Sequence, residues 1–400
     1  MKLYTSKSQN TSPRGVVVDD MFLTKDMPTA AGSKMLDGFM SLFDAEVITR
    51  LENAKIEING KADVGEFSID LVGETSYNGA ISENGVLKNA SAEIIKSGEA
   101  FASLNLDVNG SVRRSAAQSG LVSIKPTYGA VSRYGTVPVA CSGETVSVMA
   151  SNVADCRGIL SIIAGHDDKD GTSLPEDLCL RVKNDLEAAK PGKVAVLKSM
   201  KKGINADVEA KFNEFCSVLS KNGIEVCEID DSIICASKQA WNILMSAELC
   251  NNVSRYDGVK YGYRAQNFSG IDELYTNSRT EAFGELLKTA IIFGSETLST
   301  ENYMKVYDKA LRTRRVIVES FNKLFEEYDA VLMPACSSFA YTEEMVKENK
   351  YISYEENFYT APASITGLPA VVCGGVQLVG KAFSENTLFE IAKMYEKEDK

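Results

Sequence analysis

Short β-branched runs alternate with longer amphipathic stretches along most of this chain. The pattern is clearest after position 192. Gly192–Leu197 reads as a strand, and Ala206–Lys221 as a helix with Val208, Phe212, Phe215 and Leu219 on its buried stripe. Gly223 stops that helix before a second strand, Ile224–Ile229, so the order predicts a βαβ unit. Upstream, Gly15–Val18 predicts a strand ended by Asp19-Asp20. Asp44 is placed to cap a helix carrying Val47, Ile48 and Leu51, and a strand Lys55–Ile58 with an Asn59-Gly60 turn follows. Gly73 to Ala92 is polar and turn-rich. Ser151 or Asn152 caps a helix that buries Val153, Cys156, Ile159, Leu160 and Ile163 and stops at Gly165.

From Ser237 to Phe325 the pattern is mainly helical, broken at Arg255–Arg264 and ending in a long helix over Tyr303–Leu324. Strands return at Ala330–Met333, Ala370–Cys373 and Val376–Val379. No internal repeat, low-complexity segment or linker interrupts the order. The expectation is one α/β domain over residues 1–400, with the helical region at about 237–325.

Charge and composition narrow the function classes. A net charge of −12 argues against a large nucleic-acid footprint, so no direct nucleic-acid binding is expected. No run approaches a membrane span, and the N-terminal stretch MKLYTSKSQNTSPRG lacks the apolar core of a signal peptide. Nine cysteines at irregular spacing, without a Cys-x-x-Cys, read as reduced thiols, and the expected location is the cytoplasm. The single histidine, His166, lies in the charged loop Gly165–Asp170; it confines any Ser-His-Asp triad to one residue and reads as a solvated loop histidine. No metal site and no cofactor are expected.

The candidate chemistry lies in Leu104–Gly135. There Asn109-Gly110-Ser111 precedes two arginines and a helix-sized run of small residues, then a strand-like Leu121–Ile124 and the turn Lys125-Pro126-Thr127-Tyr128-Gly129. A serine at a loop-to-helix junction can expose a hydroxyl beside backbone N–H groups, although taken alone Gly-Ser reads as a plain turn. Asp107-Val108-Asn109-Gly110-Ser111-Val112-Arg113 resembles the Asp-Thr-Gly-Gly-Ser-Ile-Arg of the amidase signature family. Lys125–Gly129 with Val131–Gly135, Arg255–Arg264 and Arg279–Glu285 resemble motifs of its amidotransferase A-subunit branch, which serves glutamyl-tRNA(Gln) and aspartyl-tRNA(Asn). The resemblance spans nearly the whole chain. It implies the amidase-signature fold, a mixed central β-sheet sandwiched between α-helices.

The family hydrolyses amides through a Ser–Ser–Lys triad, in which a neutral buried lysine works through a bridging serine on the nucleophile. By resemblance the nucleophile position is Ser111. The bridging serine falls on Leu87 and the lysine on Asp19, while the oxyanion turn becomes Val108-Asn109-Gly110. Arg314 matches the arginine that clamps the α-carboxylate of glutamine, and Asn357 stands for the aspartate that recognises its amino group. Without the resemblance, Arg312, Arg314 and Arg315 read as a solvated basic face. The N-terminus is expected to be truncated relative to the family, and Cys373-Gly374-Gly375-Val376-Gln377 skips a loop that family members carry.

Three readings follow. The first is a catalytically impaired A-subunit-like protein that acts as a binding or scaffolding partner for amidotransferase B and C subunits or a genuine A subunit. The second is a divergent amidase or glutaminase acting on glutamine or another small amide, with Asp19 as substitute base for Ser111. The third is a sensor that holds an amino acid through Arg314 without turnover.

Overall fold

Among the described residues, eleven strands join into one mixed sheet. The computed structural model describes residues 2–183, 190–230 and 232–398. In chain order the strands are β1 (Tyr4–Lys7), β2 (Val16–Asp19), β3 (Ile58–Ala62), β4 (Ser82–Glu83), β5 (Val86–Leu87), β6 (Ala102–Asp107) and β7 (Val122–Lys125). Then come β8 (Thr145–Ala150), β9 (Lys193–Leu197), β10 (Glu225–Ile229), β11 (Ala330–Pro334), β12 (Ala370–Cys373) and β13 (Val376–Gly380). The sheet order is β1-β3-β2-β6-β8-β7-β12-β13-β11-β9-β10, and β4 and β5 form a separate small hairpin. This is the α/β architecture expected, with a mixed sheet between helices.

The predicted βαβ unit is present: β9 and β10 are parallel, joined by the helix Ala206–Lys221 that buries Val208, Phe212, Phe215 and Leu219. Asn152 caps the helix Val153–Ile163, its side chain accepting from Asp155 N–H. The middle strands β2, β6, β7 and β8 are buried on both faces. On β6, Ala102, Leu104 and Leu106 enter the main apolar core, while Ser103, Asn105 and Asp107 alternate onto the other face. The helix Ser111–Ser119 packs there, against β6, β7, β8 and β12.

Several sequence expectations need correction. Asp44 does not cap the helix Glu46–Asn53. Ala45 holds the cap position, and the Asp44 carboxylate instead accepts from Lys25 N–H and pairs with Lys25 Nζ at 2.7 Å. Asn59-Gly60 is no turn but the middle of β3. The Asn59 amide donates to the carbonyls of Ser12 and Glu99, and a Cβ on Gly60 would meet Ser6 O at 2.5 Å. Within the polar stretch 73–92 lie β4, β5 and the start of the helix Ala90–Lys96. The long helix begins with a π-turn at Tyr303–Tyr307 and is α-helical from Asp308 to Leu324. Strand β8 and the helices Ile352–Thr366 and Glu385–Glu398 add to the elements predicted from the sequence.

Candidate active site

Strand β6 ends at Asp107, and Val108 and Asn109 continue it as buried chain. Gly110 then turns left-handed, at φ 83°, and Ser111 opens the helix Ser111–Ser119. Glycine is needed at 110 twice over: that φ strains any other residue, and an added Cβ would stand 2.3 Å from Thr360 Cβ. The Ser111 side chain makes no hydrogen bond among the described residues, and the residue is 7% exposed. A helix start leaves its first N–H groups without intrahelical partners, and no acidic side chain occupies this first turn. The positive end of the helix therefore faces the hydroxyl, an environment that favours an oxyanion.

Two buried arginines fix this turn from behind. Arg113 grips Asp107 with two bonds, Nε to Oδ2 at 2.8 Å and Nη2 to Oδ1 at 3.0 Å. Its remaining donors reach Thr360 O, Gln377 Oε1 and Ser364 Oγ. Burial pushes the Asp107 carboxyl up, but the Arg113 charge and hydrogen bonds outweigh it and hold the carboxyl below its ordinary range. Arg114 donates to the carbonyls of Leu71, Asn109 and Asp70 and to Thr360 Oγ1. Arg113 thus ties the end of β6 to the helix Ile352–Thr366 and to β13, and Arg114 ties the Ser111 turn to the chain at Asp70 and Leu71.

Asn109 is where the turn meets the helical region. Its amide nitrogen donates to Ile69 O at 3.0 Å, and its amide oxygen accepts from Trp241 Nε1 at 3.0 Å. Asn357, also fully buried, lies against it. In one amide orientation Asn357 donates to Asn242 Oδ1 at 2.6 Å. In the other it donates to Asn109 Oδ1 at 3.0 Å and accepts from Asn109 Nδ2 at 3.1 Å. Trp241 in turn presses on Gly143, where a Cβ would meet its ring at 2.2 Å. The neighbouring Ser142 accepts from Arg314 Nη2 through its carbonyl at 3.1 Å. Arg314 is half-buried, whereas Arg312 and Arg315 are exposed and pair with Asp308 and Glu319 on their own helix. The basic stretch therefore divides into two solvated arginines and one turned inward.

Asp19 and Leu87 make no hydrogen bond to this cluster among the described residues. The Asp19 carboxylate accepts from Ser91 Oγ at 3.0 Å, Asn105 Nδ2 at 2.7 Å and Leu106 N–H at 3.3 Å. Its partners are these three groups rather than Ser111. Burial pushes it up to about 7 against the pull of those hydrogen bonds. Leu87 is buried on β5, with its N–H on Tyr341 O and its carbonyl accepting from Gln118. Two lysines are also fully buried. Lys61 faces Asp20 at 3.8 Å, and Lys125 donates to Leu368 O at 3.2 Å. Burial, joined by the Arg113 charge, pushes Lys125 down to about 7. His166 is an exposed loop residue bonded to Leu174 O and Asp168.

Of the residues singled out in the sequence, the fold gathers Val108, Asn109, Gly110, Ser111 and Asn357, with Arg314 reached through Trp241 and Gly143. Sequence reasoning missed Trp241, Thr360, Asn242 and the bracing role of Arg114. Only Trp241 carried a signal, as the one tryptophan in the chain.

The amidase family model matches residues 15–389. The glutamyl-tRNA(Gln) amidotransferase of Lachnoclostridium phytofermentans has an A subunit 34% identical to this chain, over 94% of this chain and 81% of its own length. Its counterpart in Coxiella burnetii is 33% identical, over 98% of this chain and 85% of its own length. The crystal structure of the corresponding A subunit from Thermotoga maritima superposes with a TM-score of 0.82 at 28% identity, covering 99% of this chain and 87% of that one. The urea amidolyase of K. lactis shares the fold at a TM-score of 0.81 and 22% identity, covering 96% of this chain and 23% of that one. With the Ser111 turn at the heart of the matched region, this chain belongs to the amidase family.

Proposed function

We propose that this chain is an amidotransferase A-subunit-like protein whose hydrolytic relay is impaired, and that it works as a binding or scaffolding partner. Its partners under this reading are amidotransferase B and C subunits or a genuine A subunit. The observation that carries the reading is the buried contact between Asn109 and Asn357. By resemblance these positions should face substrate, one from the oxyanion turn and one toward the amino group of glutamine. Instead the Asn109 amide is engaged by Ile69 and Trp241, and the Asn357 amide by Asn242 in one orientation or by Asn109 in the other. A ligand amine would have to break those bonds inside a sealed space, at a cost of about 1–3 kcal/mol per unpaired group.

Leu87 and Asp19 support the same reading. A leucine cannot relay a proton, and the Asp19 oxygens are committed to Ser91, Asn105 and Leu106. The test is ammonia release from glutamine by the purified protein, alone and with B and C subunits, with Ser111→Ala as control, beside co-purification with those subunits. The reading expects a stable complex without serine-dependent ammonia.

Two observations favour a second reading, a divergent amidase. Burial pushes Asp19 up to about 7, and the Ser111 side chain, at a helix N-terminus, makes no hydrogen bond among the described residues. Ammonia release abolished by both Ser111→Ala and Asp19→Asn would establish that reading and end the first.

A further inference from the structure

Residues Gly38 to Asp44 form a loop that holds large apolar side chains out in water. Leu42 is 94% exposed, and Phe39, Met40 and Phe43 are exposed beside it. The loop is pinned along its length. Thr29 N–H donates to Phe39 O at 2.9 Å, and Ser41 Oγ both donates to Phe43 O at 2.7 Å and accepts from Phe43 N–H at 3.2 Å. The Phe43 ring stacks on Tyr134 with centroids 5.1 Å apart, and Lys25 fixes Asp44. Leu42 is thus presented as a preformed knob, which loses little loop entropy when it is covered. Four large apolar side chains held in water on so short a loop mark an association surface.

A groove of matching chemistry lies on the helical region. It holds about 420 Å³ between the helices Ser237–Val253, Glu285–Thr297 and Ile352–Thr366, and its apolar walls are Ile243, Phe293, Tyr351 and Tyr354. Asn242 and Thr289 also line it, but they spend their donors on Tyr354 O at 3.1 Å and Glu285 O at 3.0 Å. The walls therefore recognise apolar surface rather than a polar metabolite.

Charge narrows the choice of occupant. Asp26, Asp44 and Glu52 crowd the base of the knob: after burial, the Asp44 and Asp26 charges push the Glu52 carboxyl up. Lys25 answers Asp44, whereas Asp26 and Glu52 have no ion pair among the described residues. Carboxylates there repel an anionic lipid surface and favour a partner that brings ammonium groups. At the groove, Lys238 adjoins Gln239 and has no ion pair among the described residues, Lys350 pairs with the exposed Glu285 at 2.9 Å, and Glu355 adds one acid. One chain therefore carries both an apolar knob with an acidic base and an apolar groove flanked by two lysines.

We propose that the groove is filled by the knob of a second copy of this chain, Leu42 of one copy inserting between Phe293, Tyr351 and Tyr354 of the other. The contact joins two different surfaces, so every copy offers one knob and one groove. It is independent of whether Ser111 is catalytic and of any amidotransferase subunit.

Sedimentation velocity and light scattering of the full chain, from about 1 to about 200 μM, test the assembly. The expected result is a mass that rises above one chain across this range. Leu42→Asp removes the knob and Phe293→Asp blocks the groove. Each alters an exposed side chain, and each alone should weaken association at least about a hundredfold by setting a carboxylate in the apolar contact. Mixing the two variants brings together one intact knob and one intact groove, so the mixture should assemble again and stop at two chains. Circular dichroism and thermal melts confirm that each variant is folded. A wild type that stays a single chain at about 200 μM, association that survives either substitution in a folded variant, or a mixture that fails to pair would overturn the proposal.

Discussion

The indole N–H of Trp241 donates to the amide oxygen of Asn109 at 3.0 Å, with both side chains sealed from solvent. The two residues lie 132 positions apart, and this bond ties the turn before Ser111 to the helical region that carries Arg314.

Breaking this bond from one side leaves a buried polar atom unpaired. Trp241→Phe should therefore destabilise the protein by about 1–3 kcal/mol beyond the loss of ring packing. Asn109→Ala should cost a similar amount, since it also strands the Ile69 carbonyl. The double variant should cost less than the sum, because removing both partners leaves neither N–H nor oxygen orphaned at this contact. Urea unfolding followed by circular dichroism measures all three, and a strictly additive cycle would contradict the coupling.

This contact marks the limit of what the sequence could disclose. The Asn109-Gly110-Ser111 turn was legible because glycine before a helix-forming run has a local signature. The helix Ala206–Lys221 was legible because Val208, Phe212, Phe215 and Leu219 repeat at its period. Strand β8 was not legible, since Thr145 and Ser147 look like a solvated face yet lie buried beneath the Ser111–Ser119 helix. Asn59-Gly60 has the composition of a turn, and pairing with β1 and β2, with the Asn59 amide on the carbonyls of Ser12 and Glu99, holds it in a strand. The helix Ile352–Thr366, which carries Pro362 in its interior and brings Asn357 to Asn109, was not predicted from the sequence. Asn357 itself came from resemblance; its partners came from tertiary packing that no local pattern encodes.

Arg113 and Arg314 should behave oppositely when truncated. Arg113→Met would leave Asp107 charged, buried and unpaired, and should cost about 3–5 kcal/mol of stability. Arg314→Met removes one bond to the Ser142 carbonyl from a half-exposed side chain and should cost under about 1 kcal/mol. Thermal unfolding of the two variants side by side checks the contrast.

Lys125 should write a rising limb into the pH dependence of stability. Its folded pKa is pushed down to about 7, first by burial and then by Arg113, while in the unfolded chain it returns to the ordinary lysine range. Between those values the unfolded state binds the extra proton, so the folded state gains as pH rises from about 7 to about 10. Other groups titrate in the same window, so the difference between the wild type and Lys125→Met isolates this one. Lys125→Met should flatten the limb by roughly 3–5 kcal/mol across the window. Denaturant unfolding at a series of pH values measures it, and parallel curves for the two proteins would refute the assignment.

Removing the Asn109 side chain should convert a filled site into a ligand site. The wild-type protein is expected to bind glutamine too weakly to detect, because the buried Asn357 amide is already engaged, by Asn242 in one orientation or by Asn109 in the other. Asn109→Gly frees the Asn357 amide and opens the volume beside it, and the Arg314 guanidinium, which spends only one bond on Ser142, remains to meet a carboxylate. The change also strands Trp241 Nε1, so the gain is reduced by that group's desolvation unless the ligand or water replaces Asn109 as acceptor. The expected outcome is glutamine binding near about 1 mM, some −4 kcal/mol, in Asn109→Gly. Adding Arg314→Met should remove it, and calorimetry reads both. Strong binding by the wild type would instead mean that the Asn109–Asn357 contact opens readily, favouring the reading in which the pocket still holds an amino acid.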